Sequence, residues 1–329
     1  MSTAYTPGTQ IDYYEIIRML GRGGMNRVYL ALDKRNQQKV VLKFPNEDLI
    51  GNIAVFERYK REAEIGNRLN HPHIQHLLNM DEKRREHYLV MEFINGRTLR
   101  DVMDECAPGP MPVAEALRII IQVCDALSYS HEHGVYHRDI KPENVMLEED
   151  GDSVKIIDFG IALLEGARRV TWRGLSGTVG TPDYMSPEQL KGERGTAASD
   201  IYSVGAMLYE MLCGHPPFEG ENVFAVMNLH VSQDPPPILE CNPNLSPALA
   251  TVVMRAIRRD PEKRYHSMPD MLHDLRNLEE VKPVSYKPDT PQMNRSGRQV
   301  ITAVIVVIAI FIIIIAIGFL AQYAHQAAH

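Results

Sequence analysis

Asp139, Lys141 and Asn144 stand close together in Tyr136-His137-Arg138-Asp139-Ile140-Lys141-Pro142-Glu143-Asn144, and Asp158-Phe159-Gly160 begins fourteen residues after Asn144. These residue types at this spacing suit phosphoryl transfer. Asp139 can accept the proton of an acceptor hydroxyl, and Lys141 can neutralise charge on the transferring group. Asn144 and Asp158 offer hard oxygen ligands to Mg²⁺ or Mn²⁺. Three histidines lie nearby, His131, His133 and His137, but the last sits inside the loop motif. A packing and hydrogen-bonding role is expected for it rather than zinc ligation.

Such a loop needs elements to hold it. Tyr14 to Leu20 and Val28 to Leu32 read as two strands around a glycine turn, and Lys39 to Phe44 reads as a third strand. A helical pattern follows between Ala54 and Leu69. Tyr88 to Ile94 reads as a buried strand that breaks at Asn95-Gly96. Beyond it helices dominate, over Ala114 to His133, Ser199 to Leu212, Ala248 to Arg259 and Met268 to Leu278. The fold class is therefore α+β, with a small strand-rich lobe (about 14–94) joined near Ile94 to Arg97 to a larger helical lobe (about 97–279).

The turn Gly21-Arg22-Gly23-Gly24-Met25-Asn26-Arg27-Val28 lets backbone N–H groups approach phosphate oxygens. Because it lies between two strands, it is not a dinucleotide-binding turn, and no G-x-x-x-x-G-K-[ST] segment exists in the chain. Taken together and in this order, the motifs resemble those of Ser/Thr protein kinases. Segments such as GRGGMNRVY, HRDIKPEN and GTPDYMSPEQ are most similar to the bacterial, membrane-bound, Hanks-type members. The resemblance covers roughly residues 14–279 and implies a bilobal protein kinase fold that binds ATP between its lobes.

Carried over residue by residue, the resemblance implies that Gly21, Arg22, Gly23, Gly24, Met25 and Val28 cover the nucleotide. Asn26 stands where the family has a third glycine. Lys43 matches the phosphate-binding lysine and Glu62 its ion-pair partner. Val41, where alanine is common, would narrow the adenine pocket. Met91 matches the residue at its back, and Glu92 to Ile94 the hinge whose backbone bonds adenine. Lys141 and Thr181 point to Ser or Thr acceptors. Arg138, just before the catalytic aspartate, implies an activation segment ordered by phosphate, with Thr171, Ser176 and Thr178 as sites of autophosphorylation. Glu188 is expected to pair with Arg264, and Asp200 to anchor the catalytic-loop backbone. Protein substrates follow, as does a homodimer phosphorylating in trans. The alternatives are a membrane-tethered pseudokinase acting as a scaffold and a small-molecule phosphotransferase. The first would be favoured by loss of Lys43, Asp139, Asn144 or Asp158; the second lacks the Gly-Thr-Pro-x-Tyr and Ser-Pro-Glu segment present here.

Composition is that of a globular protein, with 44% hydrophobic and 23% charged residues in a chain of 329. A net charge of −7 without a long basic run argues against a nucleic-acid partner. Cys106, Cys124, Cys213 and Cys241 are widely spaced, so reduced thiols are expected rather than a disulfide framework or zinc site.

Residues 300–321 carry no charge and a single hydroxyl, Thr302. As a helix they would extend about 33 Å, enough for a hydrocarbon core of about 30 Å. Lys282, Lys287, Arg295 and Arg298 precede this stretch and no Lys or Arg follows it. A single-pass cell-membrane protein is expected, with a cytoplasmic kinase domain, a linker over 280–299 and a short extracytoplasmic tail over 322–329. Residues 1–13 form a polar lead without signal-peptide character.

Overall fold

The computed structural model describes residues 5–23, 26–46, 69–78, 88–159 and 182–286, all within one compact unit, Met1–Pro288. The expectations for Gly24, Met25, Glu62 and the helix around it, Thr171, Ser176, Thr178, Thr181 and the segment 300–321 with its tail lie outside the described residues. No helix among the described residues is long and apolar enough to cross a membrane.

The small lobe is an antiparallel sheet of β1 (Gln10–Ile11), β2 (Tyr14–Arg22), β3 (Asn26–Asp33), β4 (Gln38–Pro45), β5 (Leu77–Leu78) and β6 (Leu89–Glu92). Their order is β1-β2-β3-β4-β6-β5. Strand β4 explains how the sheet serves two purposes. Successive side chains of a strand point to opposite faces. Val40, Leu42 and Phe44 enter an aromatic core with Tyr14, Tyr29 and Tyr88, whereas Val41 joins Leu89 and Met91 on the other face. Lys43 shares Val41's parity and is directly opposite Val28 and Leu89 in the ladder. The two-residue period thus delivers Val28, Val41, Lys43 and Met91 to one surface.

A second sheet, β7 (Gly96–Thr98), β8 (Val145–Glu148) and β9 (Val154–Ile156), begins the large lobe. It clamps the two ends of the polar loop: Asn144 leads directly into β8, and Asp158 lies two residues beyond β9. Gly96 permits this pairing, since a Cβ there would lie 1.9 Å from the Leu147 carbonyl oxygen. Gly96→Ala is expected to destabilise the protein by about 1–3 kcal/mol through forced separation of β7 and β8. Thermal unfolding followed by circular dichroism, with a fall of several degrees, checks this.

Helix α1 (Leu99–Cys106) is closed at its start by a reciprocal box between Thr98 and Asp101. Helix α2 (Val113–Glu132) buries Ala116, Ile119, Ile120, Val123, Ala126 and Leu127, one stripe at helical spacing. After the short α3 (Pro187–Leu190), α4 (Ala197–Cys213) is buried almost along its whole length, from Ser199 to Leu212. An apolar helix of this kind forms the centre of a lobe, and α5 (Val223–Ser232), α6 (Ile238–Cys241), α7 (Pro247–Ala256) and α8 (Met268–Arg276) complete it. The four predicted helices of this lobe are present, shifted by up to three residues at their ends. β1, β5, β7, β8 and β9 are additional; strands of two to four residues carry no usable period.

The cysteines depart from expectation. Cys124 is buried and Cys106 partly so, both as thiols. Cys213 and Cys241 instead form a disulfide with their Cα atoms 5.8 Å apart. Their 28-residue separation conceals the proximity of the ends of α4 and α6, where Asn242 Nδ2 donates to Leu212 O at 2.8 Å.

Candidate active site

The polar loop is held from beneath by Asp200, which is fully buried in the first turn of α4. Its Oδ1 accepts from Arg138 N at 2.7 Å. Its Oδ2 accepts from His137 N at 2.9 Å and contacts His131 Nε2 at 2.8 Å. Two consecutive backbone amides on one carboxylate impose a fixed turn, and Arg138 adopts φ 67°. A non-glycine residue holds this left-handed conformation only when its surroundings determine it. Further constraint comes from Gln189 Nε2, which donates to Arg138 O at 2.9 Å, and from Arg138 Nε, which donates to Gly195 O at 2.9 Å.

His137 is completely buried. Its Nε2 faces the Ile157 carbonyl at 3.2 Å and its Nδ1 faces Asp139 N at 3.3 Å. A carbonyl only accepts and an amide N–H only donates, so the proton resides on Nε2. Burial lowers the His137 pKa, opposed by the charges of Asp200 and Asp139. The ring is therefore a neutral structural link between the loop and the strand leading to Asp158.

Above this base the sequence-predicted residues converge. Lys141 Nζ reaches Asp139 Oδ2 at 2.8 Å. Asn144 Nδ2 donates to Asp139 O at 2.7 Å and to Asp139 Oδ2 at 3.1 Å. Ile157 N donates to Asn144 O at 2.9 Å, which ties this turn to the approach of Asp158. Asp158 has φ 53°, and its Oδ1 receives Lys43 Nζ at 2.7 Å. That ion pair crosses from the small-lobe sheet to the large lobe. The Lys43 side chain is 5% exposed, whereas those of Asp139 and Asp158 are each 41% exposed. A buried cation thus backs the Asp158 carboxylate, which, like that of Asp139, opens to solvent.

The donor set fits a hard divalent cation. Both partners of Asn144 Nδ2 are acceptors, which fixes the amide orientation and turns Oδ1 away from Asp139. An amide oxygen and the Asp158 carboxylate then make an all-oxygen set.

On the sheet face, Val41 and Met91 are paired across β4 and β6 and form an apolar patch with Leu89, against which Val28, Leu77 and Phe93 pack. Glu92 is more occupied than the hinge expectation supposes. Its N–H donates to His76 O at 2.9 Å and its O accepts from Gln75 Nε2 at 2.8 Å. Its carboxylate takes Lys155 Nζ at 2.9 Å and His76 N at 3.0 Å. Ile94 has a buried side chain. Gly21 and Arg22 pair with Val28 and Arg27 in the β2–β3 ladder, and Gly23 N donates to Asn26 O at 2.8 Å.

Glu188 and Arg264 meet as expected, with two bonds of 2.8 Å. Sequence reasoning misses a second charged cluster. Arg100 lies 3.0 Å from Glu210 and 3.6 Å from Glu143, and it also bonds the Tyr184 hydroxyl, itself bonded to Glu210. These residues come from four separate elements, so no spacing announces them. Beside them, burial and then the Glu210 charge push the Asp183 carboxyl up to about 6. The folded state consequently retains a proton that the unfolded chain has already released. Stability contributed by that retained proton is full below the ordinary aspartate range and disappears as pH rises past about 6. Asp183→Asn is expected to raise the melting temperature at pH 7.5 by the equivalent of about 1 kcal/mol after solvent screening, and to give no gain near pH 4. Thermal melts at the two pH values check the sign.

Comparison with known proteins agrees with this architecture. The protein kinase domain family matches residues 14–275. The chain is 38% identical over 294 residues to serine/threonine-protein kinase PknB of Mycolicibacterium smegmatis, covering 88% of this chain and 46% of that protein. Similarity to the protein of the same name from Mycobacterium tuberculosis is 37% over 294 residues, with the same coverage. The chain thus spans about half the length of these curated relatives. Among solved structures, the Mycobacterium tuberculosis PknI kinase domain superposes with a TM-score of 0.66 at 25% identity, covering 84% of this chain and 100% of that one. Sequence, fold and the loop geometry converge on one assignment: this chain belongs to the protein kinase domain family, in its bacterial Hanks-type branch.

Proposed function

We propose that this protein is a Ser/Thr protein kinase that transfers the γ-phosphoryl group of ATP to hydroxyls of protein substrates. The observation that carries the reading is the pairing of Lys43 with Asp158 beside the set of Asn144, Asp139 and Lys141, the two tied by the backbone bond from Ile157 N to Asn144 O. Asp139 accepts the proton of the acceptor hydroxyl as its oxygen bonds to the γ-phosphorus and the bond to the β-phosphate oxygen breaks. Lys141 and Lys43 offset charge on the phosphates. Asn144 and Asp158 hold Mg²⁺, or Mn²⁺ in its place, and that ion neutralises phosphate charge when bound. The adenine ring lies against Val41 and Met91, with its polar edge on the Ile94 backbone and the remaining lone pair of Glu92 O. Glycine-turn residues Gly21 to Met25 close over the phosphates, and Glu62 supports Lys43.

The kinase domain is cytoplasmic and anchored by residues 300–321, a reading supported by the uncharged length of that segment and its flanking basic residues. Phosphate on Thr171, Ser176 or Thr178, delivered by a second copy, switches the enzyme on through Arg138.

The test is transfer of labelled phosphate from ATP by the full chain in detergent to a peptide mixture containing Ser, Thr and Tyr acceptors. Phosphoserine and phosphothreonine are expected, with transfer abolished in Lys43→Met. Phosphotyrosine alone, or ATP binding without any transfer, would overturn the assignment in favour of a different acceptor or a binding scaffold.

A further inference from the structure

Cys213, Cys241 and His215 each offer one ligand atom within 4.8 Å of the others. The arrangement is built by the end of a helix. Gly214 caps α4 at φ 81°, and any side chain there would strike Pro108 O, 2.8 Å from the position of a Cβ. The glycine therefore turns the chain tightly enough to bring His215 back beside Cys213. Cys241, the last residue of α6, is held alongside by the Asn242 bond to Leu212 O.

The chemistry of the set is specific. Two sulfurs on one tetrahedral zinc, each about 2.3 Å from the ion, stand roughly 3.8 Å apart, so the sulfurs joined in the disulfide must move apart on reduction to admit the ion. His215 Nδ1 lies 3.0 Å from Pro216 O, an acceptor, so the proton rests on Nδ1 and the lone pair on Nε2. Hydrogen bonding of this kind orients metal-binding imidazoles. The cluster also sits at the C-terminus of the 17-residue α4, the end at which the helix dipole favours a cation.

We propose that, when the Cys213–Cys241 disulfide is reduced, Cys213, Cys241 and His215 form a binding site for a thiophilic divalent cation, Zn²⁺ in the first instance. Opening the disulfide takes two electrons and two protons from an external dithiol, which leaves as its own disulfide. The ion then displaces one proton from each thiol, and the fourth position is open to water. Disulfide and metal are mutually exclusive occupants of the same two sulfurs. This proposal is independent of the phosphoryl-transfer reading and of the cations that accompany ATP.

The full chain in detergent is reduced with a dithiol, desalted, and titrated with Co²⁺ as a spectroscopic probe, followed by Zn²⁺. Expected is one Co²⁺ per chain with a thiolate-to-cobalt charge-transfer band, displaced by Zn²⁺ and absent from the oxidised protein. Cys213→Ser and Cys241→Ser lose the band, Cys106→Ser keeps it, and His215→Ala weakens binding by at least about tenfold. Because a cysteine variant can fail to fold, alkylation of the reduced wild-type protein is followed in parallel by mass spectrometry. Zn²⁺ should protect Cys213 and Cys241 selectively. Absence of the band in the reduced wild type, its survival in Cys213→Ser, or equal alkylation with and without Zn²⁺ would overturn the site.

Discussion

Asp139→Asn is expected to lower kcat for phosphoryl transfer by about 10²–10⁴-fold while leaving the affinity for ATP within a few fold. The substitution keeps the side-chain shape but removes the proton acceptor and the charge that holds Lys141 Nζ at 2.8 Å. Asn144 Nδ2 retains its 2.7 Å bond to the Asp139 carbonyl, so the turn itself persists. Steady-state kinetics across a range of ATP concentrations separate the two parameters. An equal loss in kcat and in ATP affinity would instead indicate that Asp139 mainly shapes the nucleotide site.

The second large effect concerns stability. Arg264 is 1% exposed and forms a two-pronged pair with Glu188, with both bonds at 2.8 Å. Its remaining donors reach Arg258 O at 2.7 Å, Ala198 O at 2.8 Å and Arg259 O at 3.1 Å. Glu188 also accepts from Ser199 Oγ at 2.7 Å. Arg264→Ala leaves a buried carboxylate and three carbonyls without their guanidinium partner, and is expected to cost about 3–5 kcal/mol. Arg264→Lys should recover only part of this, because a point charge cannot reproduce the planar fork. Denaturant unfolding of the single variants and of Arg264→Ala with Glu188→Ala measures the coupling. A double variant as unstable as the sum of the singles would mean that the pair is not coupled.

Burial pushes the Glu188 pKa up, but the hydrogen bonds and charge of Arg264 outweigh it and leave the carboxyl below its ordinary value. This contribution is present above the ordinary glutamate range and is lost as pH falls through the lowered value. Stability should therefore fall more steeply on acidification in the wild type than in Glu188→Gln, which starts less stable but no longer depends on that titration, and the Asp183 effect has the opposite sign.

Residues that act through local spacing are legible in the amino-acid sequence. Asp139, Lys141 and Asn144 lie within one turn of chain, and their side chains join directly in the fold. The parity of β4 is equally readable, since alternate residues must face opposite ways, and it accounts for Lys43 and Val41 sharing a surface. The Glu188–Arg264 and Asp200 contacts follow from family resemblance, because 76 residues separate the first pair and spacing alone offers no clue. Arg100, Glu143, Tyr184 and Glu210 escape a sequence reading for the same reason, as does the meeting of Cys213 with Cys241. The occupied backbone of Glu92 is hidden as well, for Gln75 and His76 approach it from a segment too short to show a strand pattern.

The most direct test of phosphoryl transfer is the intact mass of the full chain before and after incubation with ATP and Mg²⁺, followed by phosphosite mapping, for wild type beside Asp139→Asn. Added phosphate on Ser or Thr in the wild type, including Thr171, Ser176 or Thr178, and none in the variant is the predicted result. Equal masses for both proteins after incubation, with ATP binding intact, would contradict an active kinase.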